Sequence, residues 1–410
     1  MMDKSDLVWT MTSTLLVWMM CMPGLALFYG GLARKRHTLS VMTQVLAVCA
    51  MVIVLWFLYG YSLVFTEGFG GLGGLERLGM AGLYQSAGDA TMPLRGTIPE
   101  LLFALFQATF AAITCGLITG SMAERTRFGA MLAFIGLWFT LGYQPIAHMV
   151  WASDGWLYLR GALDFAGGTV VHISAGVAGL VGARWVGPRL GYGREAMLPH
   201  SLPLNLIGAA LLWIGWFGFN GGSALAANEQ AVLACVNTLL AAACGVLAWA
   251  LAERLLKGRA SLLGAASGAI AGLVGITPAA GLVAPGAALI IGSLAAWAAL
   301  YGVGGLKRLL GIDDTFDVFG IHAVGGIVGA LLTGIFYSAD LGGPGPAGLA
   351  PLLHQTWLQA EAVLISLAWA GISAAICALV VDRLIGLRAA PDVERQGLDA
   401  VEHGETAYPD

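Results

Sequence analysis

Asp164-Phe-Ala-Gly-Gly-Thr-Val-Val-His172-Ile-Ser-Ala175-Gly176-Val-Ala-Gly179 sets one imidazole inside a run apolar enough to cross a bilayer, followed at offsets three, four and seven by very small residues. On a helix those offsets share the face of His172, so one stripe holds a titratable ring and a groove that a neighbouring backbone can enter closely. The ring is therefore expected to face protein, not lipid. The pattern returns in Asp314-Thr-Phe-Asp-Val-Phe-Gly-Ile-His322-Ala-Val-Gly325-Gly326-Ile-Val-Gly329. Again an aspartate stands eight residues before the histidine, and the same offsets are small. Two copies of so unusual a helix predict an internal repeat with both histidines at its interface.

Composition removes the soluble alternatives. Over 410 residues, 58% are hydrophobic, 11% are charged and 59 are glycine; a soluble chain would carry about 25% charged residues. Polar breaks delimit eleven spans of the roughly 20 residues that a bilayer requires. They fall at 8–31, 39–65, 98–121, 129–150, 168–187, 202–221, 229–252, 261–277, 281–301, 317–338 and 357–387. The fold class is thus an all-α polytopic membrane protein. Helices 1 to 5 and 6 to 10 form an inverted five-helix repeat, with a long, tilted eleventh helix outside it. Residues 1–388 form the transmembrane domain and 389–410 a polar, mostly acidic tail.

Of the 20 Lys and Arg residues, all but Lys4, Arg77, Arg95 and Arg160 fall on one side of these spans. The bias predicts an amino terminus outside and a carboxyl tail in the cytoplasm of a multi-pass protein of the cell inner membrane. The first apolar run has no short core leading to an A-x-A site, so it is expected to stay as helix 1. All six cysteines lie in predicted spans without a C-x-x-C pair, which points to neither disulfides nor a thiolate metal site. No cofactor and no nucleic-acid partner is expected.

The ends of the spans hold the other candidates. Helices 1 and 6 close alike, in Phe28-Tyr29-Gly30-Gly31 and Phe219-Asn220-Gly221-Gly222, as halves of a repeat should. Phe106 and Phe110 lie one turn apart on helix 3. Pro145 should kink helix 4 near the outer surface and present Trp151 to a mouth. Phe110, Trp151 and Phe219, with Ser223 a turn further on, are positioned for a cage around a small cation, each good ring contact contributing about 0.5–2 kcal/mol. The competing reading is a plain interfacial aromatic belt. Asp164 is expected to cap helix 5 while leaving negative potential in the mouth. A histidine alone in a helix is most often a hydrogen-bonded core residue. The matched pair, each with one N–H donor and one bare nitrogen, instead suits passage of a small neutral hydrogen-bonding molecule. Haem ligation is the rival use, disfavoured by stripes built for tight contact.

The motifs that carry these residues resemble ammonium transporters of the Amt type, close to the bacterial trimeric channels. The resemblance covers nearly the whole chain: PGLALFYGGL from Pro23, FQATFAAIT from Phe106, AERTRF from Ala123, YQPIAHMVW from Tyr143, DFAGGTVVHISAG from Asp164, WFGFNGGSAL from Trp216, DVFGIHAVGG from Asp317 and GLDAVEHGETAYPD from Gly397. It implies eleven helices per subunit, a homotrimer and one pore in each subunit. By the same resemblance Trp151, Phe110 and Ser223 would form an external ammonium site with Phe106 and Tyr143 nearby. Phe110 and Phe219 would be a stacked gate, His172 and His322 the pore pair, and Asp164 the vestibule aspartate. The tail would be regulatory, read by a PII-type signal protein. The alternative the resemblance leaves open is an ammonium sensor signalling through that tail. Some relatives begin with a cleaved leader; this chain is expected to keep its first helix.

Overall fold

The computed structural model describes residues 1–84 and 92–408. Part of the loop expected over 67–97 and the last two tail residues lie outside them. A chain in lipid must satisfy its backbone within itself, and the fold does so with helices. Among the described residues ten are apolar and long enough to span: α1 (Lys4–Leu32), α2 (Lys35–Phe65), α3 (Glu100–Ser121), α4 (Phe128–Leu159, its last turn set off by a bend), α5 (Gly168–Val186), α6 (Leu202–Gly221), α7 (Glu229–Lys257), α9 (Pro285–Leu310), α10 (Phe319–Phe336) and α11 (Leu349–Ile385). Between α7 and α9 stands the shorter apolar helix α8 (Leu262–Ile276). It stops where Thr277-Pro278 begins a series of turns.

Several spans run past their expected ends, α4 to Leu159 and α7 to Lys257 among them. Helix α9 passes through Gly302–Leu306 as a wide π-helical turn and continues to Leu310, so Lys307 and Arg308 sit on a helix and not in a loop. The glycines there loosen the helix without ending it, because no proline follows to remove a donor. Helix α11 begins at Leu349, eight residues before the expected start, and reaches 37 residues.

Equivalent helices of the two halves meet head to tail. A Cβ built on Gly31 of α1 would meet the backbone of Asn205, one on Gly24 would touch Leu212, and on the facing helix Gly208 abuts Phe28 while Gly218 abuts Leu16 and Ser13. As residue numbers rise on α1 they fall on α6. Helices α5 and α10 do the same: Gly176 faces Ala323, and Gly326 faces Gly168 and His172. Two halves of five helices can pair their equivalents only in opposite directions, which is the inverted arrangement the repeat requires.

The face that holds the chain's start is here the N-terminal face; the opposite one collects the basic loops and the tail. On this second face Arg34 donates to Glu124 at 2.6 Å, and Arg189 reaches both Glu124 and Asp313, at 3.3 and 2.9 Å. Burial would raise both carboxyls, but Arg189 with Arg34 outweighs it at Glu124, and Arg189 with Arg125 at Asp313, so each lies below its ordinary value. The tail docks on this lattice. Its helix α12 (Pro391–Gln396) supplies Glu394, which accepts from the Leu190 amide, and Asp399 accepts from the Leu39 and Ser40 amides at the start of α2.

Candidate functional site

Helices α5 and α10 cross where Gly176 lets the backbone of Ala323 approach, and the crossing brings the two histidines together. Both are buried, and their Nδ1 atoms lie 3.3 Å apart, with ring centroids 5.3 Å apart at 26°. One Nδ1 must therefore carry the hydrogen that the other accepts, so the pair takes opposite tautomers. One Nε2 is then a donor and the other an acceptor. The Nε2 of His172 is buried with no protein partner among the described residues. The spacing of the two Nδ1 atoms is that of a hydrogen bond.

The rings open onto a cavity of about 10 Å³ lined by Met20, Ile113, Leu117, Leu212, Trp216 and the two histidines. That is room for about one water-sized particle. It leaves no place for a macrocycle. Trp216 stacks on His172 at 5.4 Å and 23°, held by its indole N–H donating to Thr277 Oγ1 at 2.9 Å. The sequence pattern did not single out Trp216 as a site residue. Its position two helical turns after Gly208, on the stripe facing α1, is the signal that could have found it. Phe28 borders this cavity and a second one of about 900 Å³ that widens towards the C-terminal face.

Towards the N-terminal face the aromatics form a line. Phe219 lies 6.0 Å from His172 and stacks on Phe110 at 4.2 Å and 18°. Phe110 meets Phe106 at 4.9 Å and Trp151 at 5.9 Å, both edge to face. Trp151 is half-buried, and its indole N–H donates to the Asp164 carbonyl at 3.0 Å. The Ser223 hydroxyl donates to the Phe219 carbonyl at 2.8 Å, which leaves its lone pairs able to accept. Tyr143 is not in ring contact with this group. It stacks on Phe139 at 5.9 Å and meets Trp56 edge on, and its buried hydroxyl has no partner among the described residues. Pro145 follows the wide turn Phe139–Tyr143, because its missing N–H loosens the ladder on the preceding side and swings Tyr143 back into the bundle.

Asp164 stands at the start of α5, and its carboxylate accepts from the amides of Gly167, Gly168, Thr169 and Val170 at 2.5–3.1 Å. Gly167 at φ +108° turns the backbone around it, a conformation that glycine adopts without cost. Four donors on one carboxylate make a cap stronger than the usual N-cap. The line of rings beside it is closely packed, and wide helical turns occur at Met20–Leu25, Gly168–Ile173, Phe217–Gly221 and Phe319–Val324 in α1, α5, α6 and α10. Such turns break the even face of a helix and re-aim side chains, here towards a shared axis. Among the described residues no group of three His, Cys, Asp or Glu side chains is placed to hold a metal ion.

A sequence model of the Ammonium Transporter Family matches residues 8–408. The chain is 44% identical to a protein of Bacillus subtilis named as an ammonium transporter, over 100% of each chain. Among solved structures it is similar to Saccharomyces cerevisiae Mep2, with 37% identity, a TM-score of 0.85, and 95% of this chain and 88% of that one covered. It is similar also to a structure described as a Sensor Amt Protein, with 26% identity, a TM-score of 0.88, and 97% and 98% covered.

Proposed function

Because this chain belongs to the ammonium transporter family, we propose that it takes up ammonium at its N-terminal face and passes it through the bundle as ammonia. The relatives are named as transporters, and no chemical conversion of the solute beyond proton transfer is part of this reading. Ammonium is recruited where Trp151 and Phe110 present ring faces and edges and Ser223 presents oxygen lone pairs, with Phe106 flanking and Tyr143 behind. A charge at the centre of a bilayer costs at least about 2.5–3.5 kcal/mol. The stacked Phe110 and Phe219 leave no water between them to offset that cost. An N–H bond of ammonium breaks at this threshold, the electron pair stays on nitrogen, and the proton passes to water of the mouth. Ammonia then reaches His172 and His322, whose opposite tautomers offer it one donor and one acceptor. An alkali cation has no proton to give up and is excluded.

The observation that supports this most is the paired imidazoles bordering a cavity for one small solute, in line with the stacked phenylalanines. Methylammonium uptake into reconstituted vesicles tests it. The double variant His172→Ala with His322→Ala should lose most flux and Trp151→Leu should weaken apparent affinity. Thermal unfolding of each variant separates lost transport from lost fold. Unchanged uptake in the folded double variant overturns the mechanism. Charge recorded alongside flux reads out whether the proton stays behind or crosses along the imidazoles.

In this proposal the basic C-terminal face lies in the cytoplasm, the membrane is the cell inner membrane, and three copies assemble, each with its own pore. Residues 389–410 act as the regulatory tail, presenting a docking surface for a PII-type signal protein. A second reading, an ammonium sensor reporting through that tail, is favoured by one observation, the likeness to the Sensor Amt Protein. Negligible flux by a folded, ammonium-binding protein would select it.

A further inference from the structure

On the C-terminal face, away from the duct, a cavity of about 440 Å³ lies between the tail and the turn joining α1 to α2. Its walls include Arg34, Lys35 and Arg36 on one side and Asp399, Thr406 and Tyr408 on the other. The volume is that of a small-molecule site. What matters is which of these charges are already spent. Arg34 is paired with Glu124 through its own amide and its Nε, at 2.7 and 2.6 Å. The Asp399 carboxylate accepts from the Leu39 and Ser40 amides, so its charge is given to the start of a helix. Lys35 and Arg36 are exposed and have no carboxylate partner among the described residues. The cavity therefore presents two cations that no carboxylate among the described residues neutralises, Arg36 giving only its Nε–H to His37 Nε2 at 3.4 Å, beside an anion that is already engaged.

The far wall is aromatic and held in place. His200 Nδ1 lies 2.9 Å from the Ala33 carbonyl and must be the protonated nitrogen, so its Nε2 accepts from the Tyr408 hydroxyl at 3.1 Å. The Tyr408 ring turns a face towards Lys35, with Nζ 5.8 Å from its centroid. The position adds a last element, since the Arg34–Arg36 turn lies at the junction of two helices long and apolar enough to span.

We propose that this cavity binds a phosphate-bearing anion, with Lys35 and Arg36 on the phosphate oxygens and Tyr408 against the organic part. Two cations with rotatable donors suit an anion of two charges, whose oxygens accept several charge-assisted hydrogen bonds. The same chemistry is offered by a soluble nucleotide and by the headgroup of an acidic phospholipid. The bound anion would join the tail to the first cytoplasm-side turn through contacts that neither segment makes alone.

The full-length protein in neutral detergent is titrated calorimetrically with ADP and with inorganic pyrophosphate. In parallel, nanodiscs of phosphatidylcholine alone are compared with nanodiscs containing phosphatidic acid, reading hydrogen exchange over residues 397–408. Binding in the first arm identifies a soluble ligand; added protection only in the second identifies a lipid. In whichever arm responds, Lys35→Ala with Arg36→Ala should weaken the effect by about tenfold or more, since two charge-assisted contacts are lost. Tyr408→Ala should weaken ADP but not pyrophosphate. Arg395→Ala, an exposed cation outside the cavity, should change nothing. The two cations are exposed, so the variants should fold; Lys35→Glu gives a second reading by reversing one charge. No response in either arm, or an equal response in the double variant, overturns the proposal.

Discussion

The two entrances to the histidine helices are built on one plan and solved in different ways. At both, an aspartate stands eight residues before the histidine, and the third residue after it lies in the left-handed region: Gly167 at φ +108° and Asp317 at φ +60°. Glycine at the first site lets the chain wrap until four amides converge on Asp164. With aspartate at the second, fewer amides converge. Asp314 accepts from one amide, that of Phe319 at 2.8 Å, and its other oxygen is buried without a partner among the described residues. That carboxylate gains no further donor; a side chain ties the turn instead, for Lys307 donates to the Asp314 backbone carbonyl at 2.6 Å and to the Asp317 carboxylate at 2.7 Å. A backbone cap is rigid and dry, whereas a lysine cap is adjustable and reaches water. The first suits an entrance beside a packed aromatic line, and the second one that borders the wider cavity.

The strongest way to break this comparison is to remove the carboxylates one at a time. Asp164→Ala strands four amides and should cost about 3 kcal/mol or more, abolishing uptake, while Asp314→Ala should cost about 1 kcal/mol. Thermal unfolding of both variants measures it, and equal losses would mean that the amide count does not matter. The helix crossing between the entrances is next. A Cβ on Gly176 would stand 2.7 Å from the Ala323 nitrogen, but one on Gly326 only 3.1 Å from Gly168 O and Ile173 Cγ1. Gly176→Ala should therefore destabilise by about 1–3 kcal/mol and Gly326→Ala by less. Uptake should follow the same order, because the imidazole spacing depends on this contact.

Asp317→Gly makes the second entrance resemble the first. It relieves a left-handed aspartate, worth about 1 kcal/mol, and loses a partly exposed ion pair worth about 0–1 kcal/mol. Stability should change little, and a large loss would show that Lys307 depends on Asp317 for its position. The last effect is in pH. The Asp317 side chain keeps 28% of its surface exposed, yet the surrounding protein pushes its carboxyl up to about 6, against the pull of Lys307. A folded value above the unfolded one, near 3.9, means that its contribution is full below about pH 4 and lost as pH rises through 6. Asp317→Asn should remove that slope between pH 4 and 6 in unfolding curves. Asp164→Asn should not remove it.

The tail shows why part of the molecule was hidden from pattern reading. Residues 389–410 look solvated by composition, yet Asp399 caps α2 and Glu394 grips the Leu190 amide from more than two hundred residues away. Nothing near Asp399 announces a cap, because the helix it caps starts at the other end of the chain. Tyr143 is the opposite lesson. Its place in a motif put it near the aromatic line but did not say which rings it would touch; it stacks on Phe139 and meets Trp56 edge on.

Hydrophobic length, basic-loop bias and the twin Asp-to-His stretches determined from sequence alone that this is a helical membrane bundle with an inverted repeat, with most spans placed to within a few residues. Those properties are local, since a span is recognised by the composition of about 20 consecutive residues. Only the tertiary structure decided that the two Nδ1 atoms meet, that Trp216 covers His172, that α9 continues through its glycines, and that one aspartate is held by amides and the other beside lysine. Each of these depends on how closely two distant backbones approach and on which way a widened turn points a side chain, and periodicity along one helix contains neither quantity.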